Sequence, residues 1–430
     1  MMSNCKLSCR KVLFAAFFLI SFSAFATPAD SASRWGVIFS AMPSQVVALD
    51  KYEKKWVTKT NNFSFALELL RTGLPKDSLA IDEDFGYPTF AFGLRYMNNR
   101  AVRMHRSTDP DWGMAQEVDY DSRLGDMFSL YSTFYRSLHR SKRWETAYLL
   151  SAGVGFTNKK YNKESNIDNE QIGTNVLIYF GAGFYQTYHF ANHWGLRAGL
   201  EFVHHSNGAL YRPNKGSNTI GTSLALVYMP AYPLLVKPPK NTLRKPFDKH
   251  LYLNFSVGAG AKTMLEDWLL TQFNTPSTEP DYRTENFKVF AAYSAQADLM
   301  YRYAPRWASG LGVDWFYGTY GNHIKRLDER QGHEMKHSPW SLGIAAKHQV
   351  FYGNFSLAMA FGWYLHRQMG YNAQFNESPF YERIGVHYTF PGLNRLTIGL
   401  NVKAHETKAD LTEFVVSYPI RLGKKTSVGY

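Results

Sequence analysis

The feature that most constrains this chain is a period of two. Segments of about ten residues, in which apolar and small or polar side chains alternate, recur from residue 33 to residue 422, and such alternation marks strands with one greasy face. Eight precede residue 230: SRWGVIFSAM, NFSFALELL, YPTFAFGLRYM, DMFSLYSTFYRSL, WETAYLLSAGVGF, TNVLIYFGAGFYQTYHF, HWGLRAGLEFVHHS and NTIGTSLALVY. Eight more follow: LYLNFSVGAGA, FKVFAAYSAQADLMYRY, WASGLGVDWFYG, PWSLGIAAKHQVFY, FSLAMAFGWYL, FYERIGVHYTF, RLTIGLNVKAH and TEFVVSYPIRL. Beyond the first 26 residues no run offers the roughly twenty consecutive apolar residues of a membrane helix. Aromatics make up 16% of the chain. Two classes survive, a large exported all-β soluble protein and a transmembrane antiparallel β-barrel.

The connections favour the barrel. They mostly alternate between long polar loops, such as NNRAVRMHRSTDPDWGMAQEVDYDSR and YGNHIKRLDERQGHEMKHS, and tight turns such as FANHW, YAPR, FYGN and FPGLN. Outer-membrane barrels show this asymmetry, with long loops outside and short periplasmic turns. RTGLPKDSLAIDEDFG is too long for a periplasmic turn and runs against the scheme.

MPAYPLLVKPPKNTLRKPFDK carries prolines at 230, 233, 238, 239 and 246, which excludes a central strand and indicates a stiff linker. The expected organisation is a signal peptide at 1–26, an eight-stranded repeat at 27–229, a periplasmic linker at 230–249 and a second eight-stranded repeat at 250–430. The segments GLEFVHH (199–205) and GLNVKAH (399–405) take the seventh-strand position in each repeat. Interior-facing sets rich in Gly, Ala, Ser and Tyr, as in LIYFGAGFYQ, suit packed narrow barrels. Two tandem barrels are therefore favoured over one of sixteen strands.

The first residues set the compartment. Lys6, Arg10 and Lys11 precede VLFAAFFLISFSAFA, and a small-x-small site ends at Ala26, the pattern of a secretory signal. Cys5 and Cys9, the only cysteines, lie upstream of the apolar core, so the mature chain has no disulfide and no thiol metal site. Loss of the three basic signal residues takes the formal net charge from +13 to +10. An exported basic protein seldom meets nucleic acid, and its expected anionic partner is a phosphorylated lipid.

Strand parity sorts the side chains of HWGLRAGLEFVHHS. Trp194, Leu196, Ala198, Leu200, Phe202, His204 and Ser206 share one face; Gly195, Arg197, Gly199, Glu201, Val203 and His205 share the other. The first set is lipid-facing and the second lines the lumen. In the next strand Asn218, Ile220, Thr222, Leu224, Leu226 and Tyr228 share the outward face. His204, Ser206 and Asn218 thus meet on an otherwise greasy surface. A seventh strand rising from the periplasm ends outside, which places the trio near the outer-leaflet head groups.

Those three residue types make a nucleophilic unit. A serine hydroxyl needs a neighbouring base, and the base needs an orienting partner. His204 and Ser206, at i and i+2, stand side by side, while Asn218 accepts the other imidazole N–H and holds the tautomer. Backbone N–H groups at Asn207 and Gly208, or the Asn214 side chain, would stabilise an oxyanion. A His-x-Ser at a strand end is otherwise a plain rim pair. His205 on the polar face reads as a lumen residue bonded to a group such as Glu201. The loop pair His333 and His337 has no acidic partner at fixed spacing, so no metal is expected.

HHSNGALYRPNKG resembles the active-site segment of outer-membrane lipid A 3-O-deacylases, eight-stranded barrels with His-x-Ser-Asn, then Pro-Asn-x-Gly, then an acid. His204, Ser206, Asn207, Pro213, Asn214 and Gly216 fall in place. The resemblance implies His204 as base, Ser206 as nucleophile, and Asn207, Gly208 and Asn214 as oxyanion surroundings. At 218 that family usually has glutamate and this chain has asparagine. The segment is also similar to outer-membrane phospholipase A, which has His-x-Ser-Asn-Gly with asparagine at that spacing, about twelve strands and a calcium requirement, and no Pro-Asn-x-Gly. In the second repeat Ala404 and Glu406 stand where His204 and Ser206 do, so that half lacks the site.

The expected protein is an outer-membrane serine esterase, without cofactor, that cuts an ester-linked acyl chain from lipid A of lipopolysaccharide. Leu200, Phe202, Ile220 and Leu224 would bind the acyl chains, and basic loops such as NNRAVRMHR would meet the phosphates. The competing readings are a phospholipase A and a non-enzymatic porin or structural barrel.

Overall fold

The structure, a computed structural model, describes residues 34–75, 83–108, 118–238, 247–406 and 408–423. The expected signal peptide at 1–26 lies outside the described residues. All sixteen alternating segments are strands. In the first half they are β1 (Trp35–Val46), β2 (Asn61–Thr72), β3 (Thr89–Asn98), β4 (Met127–Arg140), β5 (Trp144–Thr157), β6 (Val176–His189), β7 (Trp194–Ser206) and β8 (Ser217–Tyr228). In the second half they are β9 (His250–Thr263), β10 (Val289–Arg302), β11 (Trp307–Gly318), β12 (Trp340–Tyr352), β13 (Phe355–Arg367), β14 (Phe380–Thr389), β15 (Thr397–His405) and β16 (Lys408–Arg421).

Each set closes on itself as an antiparallel barrel, β1 pairing with β8 and β9 with β16. The tandem arrangement thus holds over a single sixteen-stranded barrel. Closure leaves no open sheet edge, the condition for a sheet to stand in hydrocarbon. Among the described residues no helix is long and apolar enough to cross a membrane.

Polarity is inverted relative to a soluble protein. Leu196, Leu200 and Leu224 are 57%, 62% and 55% exposed, whereas Arg95 and Glu201 are 4% and 2% exposed. Trp144 packs on Tyr188 and Trp194 on Tyr228 at the end where odd-numbered strands begin, an aromatic girdle of the kind that marks a membrane interface.

The lumens are filled. In the first barrel Tyr131 stacks on Tyr179 at 4.6 Å and lies over Gly93, where a Cβ would sit 2.4 Å from its ring. Arg95 pairs with Glu201, which also accepts from the Tyr185 hydroxyl at 2.6 Å. In the second, Asp314 accepts from Lys347 Nζ at 2.6 Å and from the Tyr381 hydroxyl at 2.7 Å. Buried charges are costly unless paired in this way.

Both mouths of the first barrel are covered. Helix α1 (Glu53–Trp56) and a small sheet of Val57–Lys59, Arg103–Met104 and Ser122–Arg123 sit at the outer end, where Trp56, Met104 and Leu124 pack on Met42 and Met97. At the other end helix α2 (Tyr232–Leu235), within the proline-rich segment, brings Tyr232 against Tyr135, Tyr185 and Met229, its ring stacked on His189.

The barrels touch at both ends. Phe85 and Phe90 pack on Tyr352, and Arg306 donates to the Asp84 carbonyl. Asp84 and Phe85, at the end of the connection after β2 that is too long for a turn, thus contact the second barrel. At the outer end Arg283 Nη2 donates to Asp168 Oδ1 at 2.9 Å and Tyr161 donates to the Arg283 carbonyl at 2.6 Å.

Asp168 also binds Arg106 Nε at 3.0 Å, and Arg106 Nη1 reaches Glu170 Oε1 at 2.7 Å. Arg106 belongs to the basic loop expected to meet phosphates. It is instead 4% exposed and neutralised by carboxylates, because a buried guanidinium must find counter-charges. The loop after β11 also differs from the irregular segment expected, since Gly321–Arg330 forms a helix, α3. His337 Nε2 lies 2.7 Å from Asp328 Oδ2 on it, and His333 stacks on Tyr371.

Candidate active site

The site is built where β7 hands over to β8. In their register His204 stands directly opposite Asn218, Phe202 opposite Ile220, and Leu200 opposite Thr222. Alternation from Leu200 through Phe202 carries His204 and Ser206 to the outer side of the wall, above a greasy column. His204 Nδ1–H donates to Asn218 Oδ1 at 2.7 Å, leaving Nε2 as the basic atom. Gly216, at φ 77°, closes over the ring, and a Cβ there would come 2.6 Å from His204 Cε1. Only glycine combines that backbone with that approach.

Ser206 and Asn218 are 6% and 3% exposed. Ser206 Oγ makes no hydrogen bond to the ring; at about 3.3 Å of rise per residue, i and i+2 lie roughly 7 Å apart along the strand. Catalytic hydrogen bonds commonly tighten only with substrate bound.

The loop after Ser206 changes the expected oxyanion set. Asn207 N–H donates to Asn214 Oδ1 at 2.9 Å, which takes that amide out of play and leaves the Asn214 NH₂ as the polar group of that side chain not used there. The Asn207 side chain ties down the loop, donating to the Tyr211 carbonyl at 2.9 Å and accepting from Tyr211 N–H at 3.3 Å. Gly208 (φ 63°) and Ala209 (φ 70°) are both left-handed. Among the described residues neither of their N–H groups has a hydrogen-bond partner. The candidate donors are therefore Gly208 N–H, Asn214 Nδ2 and Ala209 N–H, the last absent from the sequence reading because strand parity ends at Ser206.

His205 points the other way. It is fully buried, with Nε2 2.8 Å from Ser129 Oγ and its ring against Tyr179. The lumen placement matches the parity argument, but the partner is Ser129, not Glu201, because Glu201 is already held by Arg95 and Tyr185.

The outer face below the trio is a shallow groove lined by Phe39, Ala41, Leu196, Ala198, Leu224 and Leu226. Leu224, opposite Ala198, lies six residues down β7 from His204, about 20 Å at strand rise. Among the described residues no three His, Cys, Asp or Glu side chains gather as a metal site.

Comparison with known families decides the class. Residues 86–227 match the family model described as lipid A 3-O-deacylase (PagL), and residues 250–422 match that of the acyloxyacyl hydrolase C-terminal domain. The first barrel thus matches the lipid A 3-O-deacylase family and the second the acyloxyacyl hydrolase C-terminal domain. The two deacylase-family matches divide the chain as the two barrels do. A search of curated proteins found no match. Among solved structures the chain is similar to the outer membrane enzyme PagL at 14% identity, covering 44% of this chain and 97% of that one with a TM-score of 0.26. It is also similar to an outer membrane channel from Pseudomonas putida F1, at 8% identity over 92% and 100% of the chains and a TM-score of 0.19. Scores this low carry no argument, and the family assignment rests on the two models.

In the second repeat Ala404 occupies the His204 position on β15, and His405 is an interior residue bonded to the Tyr364 hydroxyl at 3.0 Å. The buried histidine is common to both barrels; the outward one is confined to the first.

Proposed function

We propose that this protein is an outer-membrane serine esterase that releases an ester-linked acyl chain from lipid A in the outer leaflet. The observation that carries this reading is the His204–Asn218 hydrogen bond at 2.7 Å on the outward face of the wall, two residues along the strand from Ser206. A catalyst on that face meets lipid laterally. In this proposal residues 27–229 form the catalytic barrel, 230–249 the linker, and 250–430 a second barrel without the site.

An acyl chain enters along Leu200, Phe202, Ile220 and Leu224, and its ester comes to rest beside Ser206. Ser206 Oγ attacks the carbonyl as His204 Nε2 takes its proton, and Asn218 Oδ1 holds the ring by its Nδ1–H. The tetrahedral oxyanion is met by Gly208 N–H, Asn214 Nδ2 and Ala209 N–H, each such donor contributing about 3 kcal/mol. His204 returns the proton to the leaving alkoxide. Water, activated by the same imidazole, then hydrolyses the acyl-serine and frees the fatty acid. Asn218 is neutral, so it stabilises the imidazolium less than a carboxylate would and acts chiefly by orientation.

Mass spectrometry of lipopolysaccharide incubated with the purified protein tests the reading. The expected result is loss of one acyl chain with the wild type and none with Ser206→Ala or His204→Ala. Cleavage of phospholipid instead, with a calcium requirement, would establish the phospholipase reading.

A further inference from the structure

The second barrel lacks the trio, yet it touches the loop that follows the nucleophile. Thr412, on the outer side of β16, donates through Oγ1 to the Gly208 carbonyl at 2.9 Å. Thr263 N–H, at the end of β9, donates to the Ala209 carbonyl at 3.3 Å. Tyr211 donates through its hydroxyl to the Glu285 carbonyl at 2.6 Å and accepts from Phe287 N–H at 3.3 Å. Contact at Gly208 is so close that a Cβ would lie 2.0 Å from Thr412 Oγ1 and 2.9 Å from Ile178 Cδ1. The loop is wedged between the two barrels.

A trans peptide is planar, with its C=O and N–H pointing in opposite directions. Thr412 holds the Gly208 carbonyl toward the second barrel, so the Ala209 N–H is turned back toward the catalytic barrel. Thr263 treats the next peptide alike, and its N–H, at Leu210, indeed reaches back to the Asn207 carbonyl at 3.2 Å. Ala209 is a non-glycine residue at φ 70°, a conformation that persists only where surroundings over-determine it. Here the surroundings are supplied by a different barrel.

We infer that the second barrel is a positioning element for the catalytic loop, with Thr412 as the residue that aims the Ala209 N–H at the developing oxyanion. This rests on the esterase reading. It assigns the second repeat a role in catalysis through a loop grip, with no chemistry of its own. Thr412 is a positioning residue, acting through the Gly208–Ala209 peptide.

The experiment uses the full chain with Thr412→Val, which keeps the shape and removes the hydroxyl, and Thr412→Ser, which restores it. Folding is checked by heat-modifiable migration on gels, with Thr412→Ala as a second variant. Deuterium exchange of the peptide spanning 207–211 is expected to quicken at least tenfold in Thr412→Val, with β7 and β8 unchanged. On lipopolysaccharide kcat is expected to fall about tenfold at unchanged KM, and Thr412→Ser to recover most of it. Wild-type kcat in folded Thr412→Val, unchanged loop exchange, or a loss appearing in KM alone would overturn the inference. If the wild type itself releases no acyl chain, the esterase reading fails, and exchange at 207–211 still decides whether the second barrel grips the loop.

Discussion

His204 and His205 are neighbours in the chain, and their rings lie on opposite sides of the barrel wall: one bonded to Asn218 on the outer side, the other to Ser129 in the lumen. Successive strand residues always part in this way. Two adjacent residues of one type are thus assigned to unrelated tasks.

The two histidines should separate in mutagenesis. His204→Ala is expected to lower kcat by at least three orders of magnitude without loss of the folded barrel, whereas His205→Ala retains most activity and loses some stability, because Ser129 Oγ is left without its partner. Fatty acid release and thermal melting, measured on both variants, check this. An inactive, well-folded His205→Ala would place the chemistry on the wrong face.

In the proposed mechanism Asn218 holds the His204 tautomer. Asn218→Ala leaves the Nδ1–H without its acceptor, and a lost hydrogen bond of about 1 to 3 kcal/mol corresponds to a fall in kcat of roughly five- to 150-fold. Asn218→Asp keeps the acceptor and adds charge to stabilise the imidazolium, so it should retain or exceed wild-type kcat. Steady-state kinetics on purified lipopolysaccharide read both.

Asn214 has two ends with two jobs. Its Oδ1 organises the loop through Asn207 N–H, and its Nδ2 is the candidate oxyanion donor. Asn214→Asp preserves the first and removes the second. Loss of an oxyanion donor costs about 3 kcal/mol, so Asn214→Asp is expected to lose roughly a hundredfold in kcat with little change in KM; wild-type kcat would show that only the Oδ1 end matters.

Glu53, in the cap over the outer end, carries a stability signature in pH. Burial pushes its carboxyl up from 4.5 to about 7, against the hydrogen bonds from Gln171 Nε2 and Leu49 N–H that favour the charged form. A carboxyl with a raised folded pKa destabilises the folded cap as it ionises, so stability is full below about pH 4.5 and is lost as pH rises through 7. At 1.36 kcal/mol per unit the ceiling is about 3 kcal/mol. Glu53→Gln should therefore match the wild type at pH 5 and protect the 47–60 segment at pH 9, read by deuterium exchange.

The filled lumens bear on the porin reading. With Tyr131, Tyr179, Arg95 and Glu201 occupying one interior and Asp314, Lys347 and Tyr381 the other, planar bilayers are expected to show no large stable conductance. A steady pore would require an interior much emptier than this one.

Most of the architecture was legible in the sequence because period-two alternation is local: a strand that must be greasy outside and polar inside writes both faces into consecutive residues. Strand number, the tandem division, the outward placement of His204 and Asn218, and the inward placement of His205 all follow from that. The facing of His204 and Asn218 across two strands follows too, since residue type and parity are both local. Where alternation stops, inference stopped with it. Asn207 N–H looked like an oxyanion donor until Asn214 folded back onto it, and Arg106 looked like a phosphate ligand until Asp168 and Glu170 closed around it. Neither outcome is written in the residues nearby, because each depends on which loop meets which after the barrels close. Thr412 lies 204 residues from Gly208, and nothing in either segment names the other. The strands were determined by a repeating solvent contrast; the loop after Ser206 was decided by two closed barrels packing side by side, which only the tertiary structure contains.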